Sequence, residues 1–237
     1  MNKILSTLLM NFLNFPKKLY AYINAIRKNK LFKPPGHYYS PIPSIKEIKQ
    51  YEEEIFFKIP RNIKGINFNE EDQLTLLNEF IEYYEELPSY KPKKQVGLRY
   101  FYENTEYKYS DAILLYCMMR HLKPNRIIEI GCGYSSCVII DVNELFFNFS
   151  IENAFIDPNP QRLISLLNYA DKEKIRIINQ RLQDVNITEF ETLRNNDILF
   201  IDSTHISKTN SDVNRIFFDI LPCLAPEVYI HFHDIFY

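Results

Sequence analysis

Four polar side chains with catalytic potential follow two apolar runs in the carboxyl-terminal part of the sequence. Asp202 and His205 come just after one run, and His233 and Asp234 come just after the next. Imidazole and carboxylate groups can remove a proton from an attacking hydroxyl, with His205 or His233 as the base. Asp202, His205 and Asp234 can alternatively bind Mg²⁺, Mn²⁺, Fe²⁺ or Zn²⁺. A structural role, in which both histidines cap helices or fill the core, is the third interpretation.

A glycine turn with the sequence EIGCGYSS, residues 129–136, follows an earlier apolar run. Its two glycines let the backbone approach a ligand closely, and the next helix offers free N–H groups at its start. The third glycine of a dinucleotide fingerprint would fall on Ser136, so the full G-x-G-x-x-G pattern is not met. The turn therefore predicts a ligand-binding loop only in combination with other residues.

Acidic and amide side chains follow the next two apolar runs. Asp157 ends the second run, where a carboxylate can accept hydrogen bonds from ribose hydroxyls. It can equally cap the helix that begins near Pro160. Gln183 and Asp184 follow the third run, where a carboxylate can receive the amino group of an adenine. A glycine turn combined with an acid after the second run is a much stronger signal than either part alone.

Short apolar runs alternate with helical segments from residue 126 onward. This alternation predicts an α/β fold with a Rossmann-like parallel sheet that helices cover on both faces. Ligands in such sheets bind at the carboxyl ends of the strands, where the polar residues cluster here. The predicted strands are 126–130, 154–156, 175–178, 198–201 and 228–232, and the predicted helices between them are 135–147, 160–170, 186–194 and 209–222.

The residues before the sheet divide into a helical extension and a cap. Residues 1–32 are predicted to form a basic amphipathic extension, 33–98 a Pro-containing linker and helical cap, and 99–237 the Rossmann-like domain. The linker, 33–44, is too rich in proline for a helix. Three helices are predicted before the sheet, at 45–54, 69–87 and 110–122. Ser44 and Glu47 form a capping box at the start of the first helix. The second helix has an apolar face formed by Leu74, Leu77, Phe80, Ile81 and Tyr84.

Charge is concentrated at the amino terminus of a chain whose net charge is −2. Residues 1–46 hold eight Lys and Arg residues and no acid, and their apolar stretch is too short and polar to span a bilayer. Peripheral membrane contact through residues 1–30 and packing on the domain or on a second subunit are both open. No basic patch accompanies the core, so nucleic acid is not an expected partner. The four cysteines form no CxxC pair and favour a reducing, cytoplasmic compartment.

Several motifs together resemble the class I S-adenosylmethionine-dependent methyltransferases. They are EIGCGYSS, FIDPNPQRL, RLQDV, DILFIDSTH and HFHDIFY. More narrowly, they are similar to a bacterial group of small-molecule or cell-surface-glycan type methyltransferases, which also tends to carry a segment like Gly36–Pro41. The resemblance extends over about residues 34–237. It implies that the class I fold continues with two further strands, so either the sequence is truncated or another chain, as in a homo-oligomer, completes the sheet.

The resemblance implies a role for each candidate residue. Asp157 would bind the ribose of S-adenosylmethionine, Gln183 and Asp184 would frame its adenine, and Asp202 would face the methyl-transfer site. The residues expected at the methionine part of the cofactor are Glu129, Gly131, Gly133, Tyr134 and Ser135.

The function predicted on this basis is methyl transfer to a hydroxyl of a small molecule or sugar. Because the methyl group of a sulfonium is already activated, the enzyme mainly aligns the reactants and excludes water. Two alternatives are a metal-dependent hydroxylase-like enzyme on the same fold and a non-catalytic binding or assembly module.

Overall fold

The computed structural model describes residues 33–58 and 62–235. The chain divides into two compact units between Asn67 and Phe68. The helices predicted within residues 1–30, and the membrane contact predicted for them, lie outside the described residues. Among the residues that are described, no helix is long and apolar enough to cross a membrane.

The described residues of the first unit form turns, bends and two short helical segments. Residues 33–44 form bends and turns with no helix, as their prolines predict. Helix α1 spans Ile45–Gln50 and begins at Ser44, whose Oγ accepts a hydrogen bond from the Glu47 N–H at 3.3 Å. The Ser44 half of the predicted capping box is therefore confirmed. The helix is shorter than predicted, because a separate π-helical turn, Glu53–Phe57, follows it.

A five-stranded parallel sheet organises the second unit. Its strand order is β3-β2-β1-β4-β5, so the order reverses between β1 and β4. Each strand begins within two residues of its predicted start. The strands are β1 Arg126–Ile130, β2 Glu152–Ile156, β3 Arg176–Ile178, β4 Ile198–Ile201 and β5 Tyr229–Phe232.

Alternate residues of each strand pack into one of two hydrophobic clusters on the two faces of the sheet. Ile127 and Phe200 lie in one cluster, and their neighbours Ile128 and Leu199 lie in the other. The exposed fraction of each of these four side chains is zero. Burial on both faces explains why the runs are apolar throughout and do not alternate with polar residues.

Helices cover the sheet, but three of the four helices predicted between strands are wrong in type or length. The helix predicted at 209–222 begins at Asp212 and is divided by a π-helical segment, Ile216–Ile220. The predicted helix 160–170 ends at Leu166, because Leu167 is extended and Asn168 starts a 3₁₀ helix, Tyr169–Glu173. The predicted helix 186–194 is a 3₁₀ helix, Ile187–Thr192. The α-helices are α2 Glu70–Tyr84, α3 Tyr109–Leu122, α4 Tyr134–Phe147, α5 Gln161–Leu166, α6 Asp212–Arg215 and α7 Leu221–Cys223, and the remaining segments are a π-helix, Ile216–Ile220, and a 3₁₀ helix, Leu182–Asp184.

Helix α2 forms where predicted, but most of its predicted apolar face is not buried. Phe80 is buried against α3, and it is 7% exposed. The other members of that face are 54–63% exposed, and they are Leu74, Leu77, Ile81 and Tyr84. The spacing of these residues predicts the helix correctly, because helical periodicity does not depend on what the apolar face packs against.

A buried ion cluster fixes the segment before α3 to helix α4. The Arg99 guanidinium donates to Asp141 at 2.8 Å and to Asp171 at 2.8 Å, and it also contacts Glu144. The Asp141 carboxylate additionally accepts the backbone N–H groups of Arg99 and Tyr100. Burial alone would lower the pKa of Arg99, but hydrogen bonds to the three carboxylates outweigh it and raise that pKa. The Arg99 guanidinium therefore stays charged and is surrounded by carboxylates.

Candidate active site

The glycine turn lies at the carboxyl end of β1 and is packed against the end of β4. Gly131 has a φ of +81°, and its N–H donates to the Ile156 carbonyl at 2.9 Å. A Cβ atom at Gly131 would lie 1.9 Å from the Asp202 carbonyl oxygen. Only glycine fits this approach, so the backbone of the turn and Asp202 are held in direct contact.

Glu129 supports the turn from beneath. Its side chain is fully buried and accepts hydrogen bonds from the hydroxyls of Ser135 and Ser136. The Ser136 Oγ in turn accepts the Gly133 N–H at 2.9 Å. Burial raises the pKa of Glu129 to about 8, although the two hydroxyls act in the opposite direction. The predicted approach of Glu129 to a cofactor amino group stays a prediction, because the structure places the carboxyl behind the two serines.

Asp157 connects the end of β2 to the glycine turn. One carboxylate oxygen accepts the Cys132 N–H at 3.0 Å, and the other accepts the Asn159 N–H at 2.6 Å. The helix-cap interpretation of Asp157 is wrong, because Pro160 is the N-cap residue of the helix Gln161–Leu166 and no side chain caps it. Asp157 instead closes a local turn and also faces a cavity. A carboxylate has further lone pairs that can accept hydrogen bonds from a ligand.

A cavity of about 400 Å³ opens at the carboxyl ends of β1, β2 and β4. It contains three predicted site residues from the glycine turn, β2 and β4. The lining residues are Ile130, Gly131, Ile156, Asp157, Pro158, Arg181, Leu182, Gln183, Asp202, Ser203, Thr204, Lys208, Asn210, Ser211 and Asp212. Gln183 joins them from the 3₁₀ helix after β3, and its amide donates to the Asn210 carbonyl at 2.8 Å.

Five of the predicted cofactor-binding residues lie outside the lining of this cavity, and Glu129, described above, is one of them. Asp184 pairs with Arg181 at 2.8 and 2.9 Å, so its carboxylate is already engaged. Tyr134 packs its ring on Phe101, with the ring centroids 5.5 Å apart. The remaining two, Gly133 and Ser135, face the Glu129 support described above.

The polar residues after β4 and β5 converge, as their positions predicted. Ligand atoms of Asp202, His205 and Asp234 all lie within 4.8 Å of one another. The His205 Nε2 atom is 3.5 Å from Asp202 Oδ1, and the His233 Nε2 atom is 3.4 Å from Asp234 Oδ1. These residues form the strand-end cluster: Asp202, His205, His233 and Asp234.

Electrostatics sets Asp202 apart within the strand-end cluster. Burial raises the pKa of its carboxyl, and Asp234 raises it further, whereas His233 and His205 lower it. Asp202 also lines the cavity beside Gly131. It is therefore the residue that the cavity and the strand-end cluster share.

Sequence reasoning missed the aromatic support of His233. The His233 ring lies against the Tyr107 ring, with centroids 5.0 Å apart, and its side chain is 11% exposed. Tyr107 is held by a hydrogen bond from its hydroxyl to the Asp111 carbonyl and by its N–H to Asn104. A tyrosine far from β5 in sequence carries no local signal of this contact.

Sequence reasoning also missed most of the loop between β4 and α6. Residues 203–211, here the β4–α6 loop, contribute five lining residues of the cavity, among them Lys208 and Asn210. The Ser211-Asp212 pair is the available signal, since such residues cap helices. Ser211 does cap α6, and its Oγ accepts the Asn214 N–H at 3.1 Å.

Comparison with known proteins agrees with this geometry. A family model described as a methyltransferase domain matches residues 128–235, from β1 to the end of the strand-end cluster. An uncharacterized protein of Archaeoglobus fulgidus is 41% identical over 174 residues, which are 71% of this chain and 76% of that protein.

Two solved structures are similar at low identity. An apo-structure of CmcI is 14% identical with a TM-score of 0.43, over 86% of this chain and 78% of that chain. The SAH-bound Podospora anserina methyltransferase is 16% identical with a TM-score of 0.35, over 78% of this chain and 67% of that chain. These TM-scores are too low to carry an argument. The family model covers the sheet from β1 to the residues after β5, so residues 128–235 are a methyltransferase domain built on a Rossmann-like parallel sheet.

Proposed function

We propose that this methyltransferase transfers the methyl group of S-adenosylmethionine to a hydroxyl oxygen of a small molecule or glycan. The observation that carries the proposal is the position of Asp202. It lines the cavity beside the glycine turn and also belongs to the strand-end cluster. A methyl donor bound in the cavity and an acceptor bound at the cluster would therefore meet at this residue.

The residues of the cavity suit the cofactor. Gly131 brings bare backbone to the cavity, and Asp157 presents a carboxylate at the end of β2, where ribose hydroxyls are expected. Gln183 and Asn210 also line the cavity, and the Gln183 amide donates to the Asn210 carbonyl. When bound, S-adenosylmethionine supplies a methyl group that its sulfonium already activates.

The histidines of the strand-end cluster are proposed as proton acceptors. A hydroxyl is a weak nucleophile unless a base removes its proton during attack, and imidazole is suited to this near neutral pH. Tyr107 holds the ring of His233, and Asp202 lies 3.5 Å from His205. The proposal therefore assigns proton removal to His233 or His205, with Asp202 facing the acceptor.

A divalent metal is the alternative use of the same residues. Asp202, His205 and Asp234 offer two carboxylates and one imidazole within 4.8 Å of one another, a donor set that suits Mg²⁺ or Mn²⁺ when water or substrate oxygens complete it. Such an ion would act as a Lewis acid on the acceptor hydroxyl.

Methyl transfer from methyl-labelled S-adenosylmethionine to a panel of phenols and monosaccharides tests the proposal. We expect label on oxygen, and we expect His233→Ala to lower turnover roughly 100-fold with unchanged affinity for S-adenosylhomocysteine. Assays with EDTA and with added Mn²⁺ separate the two uses of the cluster, because only the metal alternative requires the ion. Label on nitrogen or carbon would contradict a hydroxyl acceptor.

The two remaining alternatives give different results in the same assay. A non-catalytic binding module would bind S-adenosylhomocysteine and transfer no label to any acceptor. A hydroxylase-like enzyme would consume oxygen with bound iron and would leave the methyl group on the cofactor.

A further inference from the structure

The β4–α6 loop contributes residues both to the cavity and to the strand-end cluster. Ser203, Thr204, Lys208 and Asn210 of this loop line the cavity, and His205 of the same loop belongs to the cluster. Neighbouring residues of this one loop therefore belong to the cavity and to the strand-end cluster. Any group that fixes this loop affects the cavity and the cluster together.

Asp212, the first residue of α6, holds the loop at the residue before His205. One carboxylate oxygen accepts the Thr204 N–H at 2.9 Å, and the other accepts the Thr204 hydroxyl at 2.6 Å. Burial alone would raise the pKa of Asp212, but these hydrogen bonds lower it. The Asp212 carboxylate therefore accepts hydrogen bonds from both donors of Thr204, its backbone N–H and its hydroxyl.

Further side chains of the first α6 turn hold the rest of the loop. The Lys208 N–H donates to the Ser211 hydroxyl at 3.2 Å, and the Asn214 amide donates to the Lys208 carbonyl at 3.0 Å. The Ser207 hydroxyl contacts the Asn214 amide oxygen at 2.6 Å. The loop is thus bound to α6 at several points, and Asp212 is the one that adjoins His205.

The loop needs such anchoring because two of its residues have left-handed backbone conformations. His205 and Asn210 both have a φ of 58°. Non-glycine residues adopt this region infrequently and at a cost, so their surroundings must hold them there. The Asp212–Thr204 contact lies directly before the first of these two positions.

We propose that Asp212 is a positioning residue that acts through Thr204 to fix the β4–α6 loop as the common wall of the cofactor cavity and the strand-end cluster. Loss of the contact weakens cofactor binding on one side and reorients His205 on the other. The inference rests on the proposed function for the identity of the cavity and the cluster. Because Asp212 also lines the cavity, the His205 signal is the readout that separates positioning of the loop from direct contact with the cofactor.

The test compares four variants of the full chain by two readouts, and one of them, Thr204→Ser, keeps the hydroxyl that Thr204→Val removes. Asp212→Asn keeps the shape but not the charge, and Thr204→Val removes only the hydroxyl. Asp219→Asn is the matched control, because Asp219 is an exposed acid that pairs with Arg215 in the same helical stretch. The readouts are the Kd for S-adenosylhomocysteine by calorimetry and the ring ¹H–¹³C NMR signal of His205 at constant pH, assigned with His205→Gln.

We expect Asp212→Asn to raise the Kd about tenfold, as for loss of hydrogen bonds to a charged group, and to shift the His205 signal. Thr204→Val is expected to change both readouts in the same direction and by less, because the backbone hydrogen bond remains. Thr204→Ser, which keeps the hydroxyl, is expected to restore the His205 signal. Asp219→Asn is expected to match wild type in both.

A shift in only one readout, or in neither, overturns the proposal. Thr204→Val decides the matter if Asp212→Asn fails to fold. Wild type that does not bind S-adenosylhomocysteine would contradict the proposed function instead. The ligand-free His205 signals would still show in that case whether Asp212 positions the loop.

Discussion

Two clusters of charged side chains in the second unit differ in how many of their hydrogen-bonding groups have a partner within the cluster. Arg99, Asp141 and Asp171 have side chains that are 0–3% exposed, and Arg99 bonds directly to both acids. Asp202 and His205 are 36% and 32% exposed, and their closest polar atoms are 3.5 Å apart. The first cluster has used its hydrogen-bonding capacity internally, whereas the second has capacity left for a ligand.

This difference indicates that the Arg99 cluster stabilises the fold and that the strand-end cluster takes part in chemistry. A buried charge is tolerated when partners surround it, so the Arg99 cluster is expected to matter for folding. Acids whose pKa is shifted and whose partners are incomplete are typical of reactive sites, as Asp202 illustrates. We therefore expect substitutions in the two clusters to have opposite effects on stability and on methyl transfer.

The largest expected effect follows removal of the cation in the first cluster. Arg99→Ala leaves Asp141 and Asp171 buried without their partner, so we expect the free energy of unfolding to fall by about 3–5 kcal/mol. Urea denaturation measures this change. In the second cluster, Asp202→Asn removes a carboxylate whose ionisation burial disfavours, and we expect no loss of stability. Equal destabilisation by the two variants would contradict the assignment of a structural role to the Arg99 cluster alone.

Glu129 provides a further comparison with the Arg99 cluster, because this buried acid is hydrogen-bonded to the hydroxyls of Ser135 and Ser136 and not to a cation. Its pKa is about 8 in the folded chain against an ordinary 4.5, so its contribution to stability is present below pH 4.5 and is lost as the pH rises through 8. We expect wild type to lose stability relative to Glu129→Gln across this interval. Chemical denaturation at several pH values measures the difference, and parallel pH profiles would contradict the assigned burial effect.

A smaller effect is expected at Asp157, which has local partners and also faces the cavity. Asp157→Ala should weaken binding of S-adenosylhomocysteine by about 1–3 kcal/mol, as expected when hydrogen bonds to a charged group are lost. Calorimetry measures the affinity, and Asp219→Asn is the exposed control. Unchanged affinity would assign Asp157 to the turn alone.

The sequence predicts the sheet well because its signals are local. Apolar runs define all five strands, and the polar residues after β4 and β5 meet because parallel strands end at one edge. Helix termini are predicted less well, since the end of α5 depends on the extended backbone of Leu167. The family resemblance is confirmed by the methyltransferase domain model.

Side-chain contacts that do not follow from the order of the strands could not be predicted from one sequence. Arg99 meets Asp171 across 72 residues, and nothing near either residue signals the pair. Tyr107 reaches His233 in the same way. Asp184 illustrates the reverse case, since an acid expected at the adenine pairs with its neighbour Arg181. Residue type and position indicate where a site lies, but the side-chain partners depend on tertiary packing.

Binding of S-adenosylmethionine in the cavity at the glycine turn is the step on which the proposed function depends. Calorimetric titration of the full chain with S-adenosylmethionine and S-adenosylhomocysteine tests it, alongside Gly131→Ala and Gly133→Ala. A Cβ at Gly131 would strike the Asp202 carbonyl at 1.9 Å, whereas one at Gly133 would meet only the flexible Arg162 side chain at 3.3 Å. We predict binding by wild type, its loss in Gly131→Ala and a much smaller reduction in Gly133→Ala. A folded wild-type chain that binds neither compound, or a Gly131→Ala variant that binds as wild type does, would contradict the account.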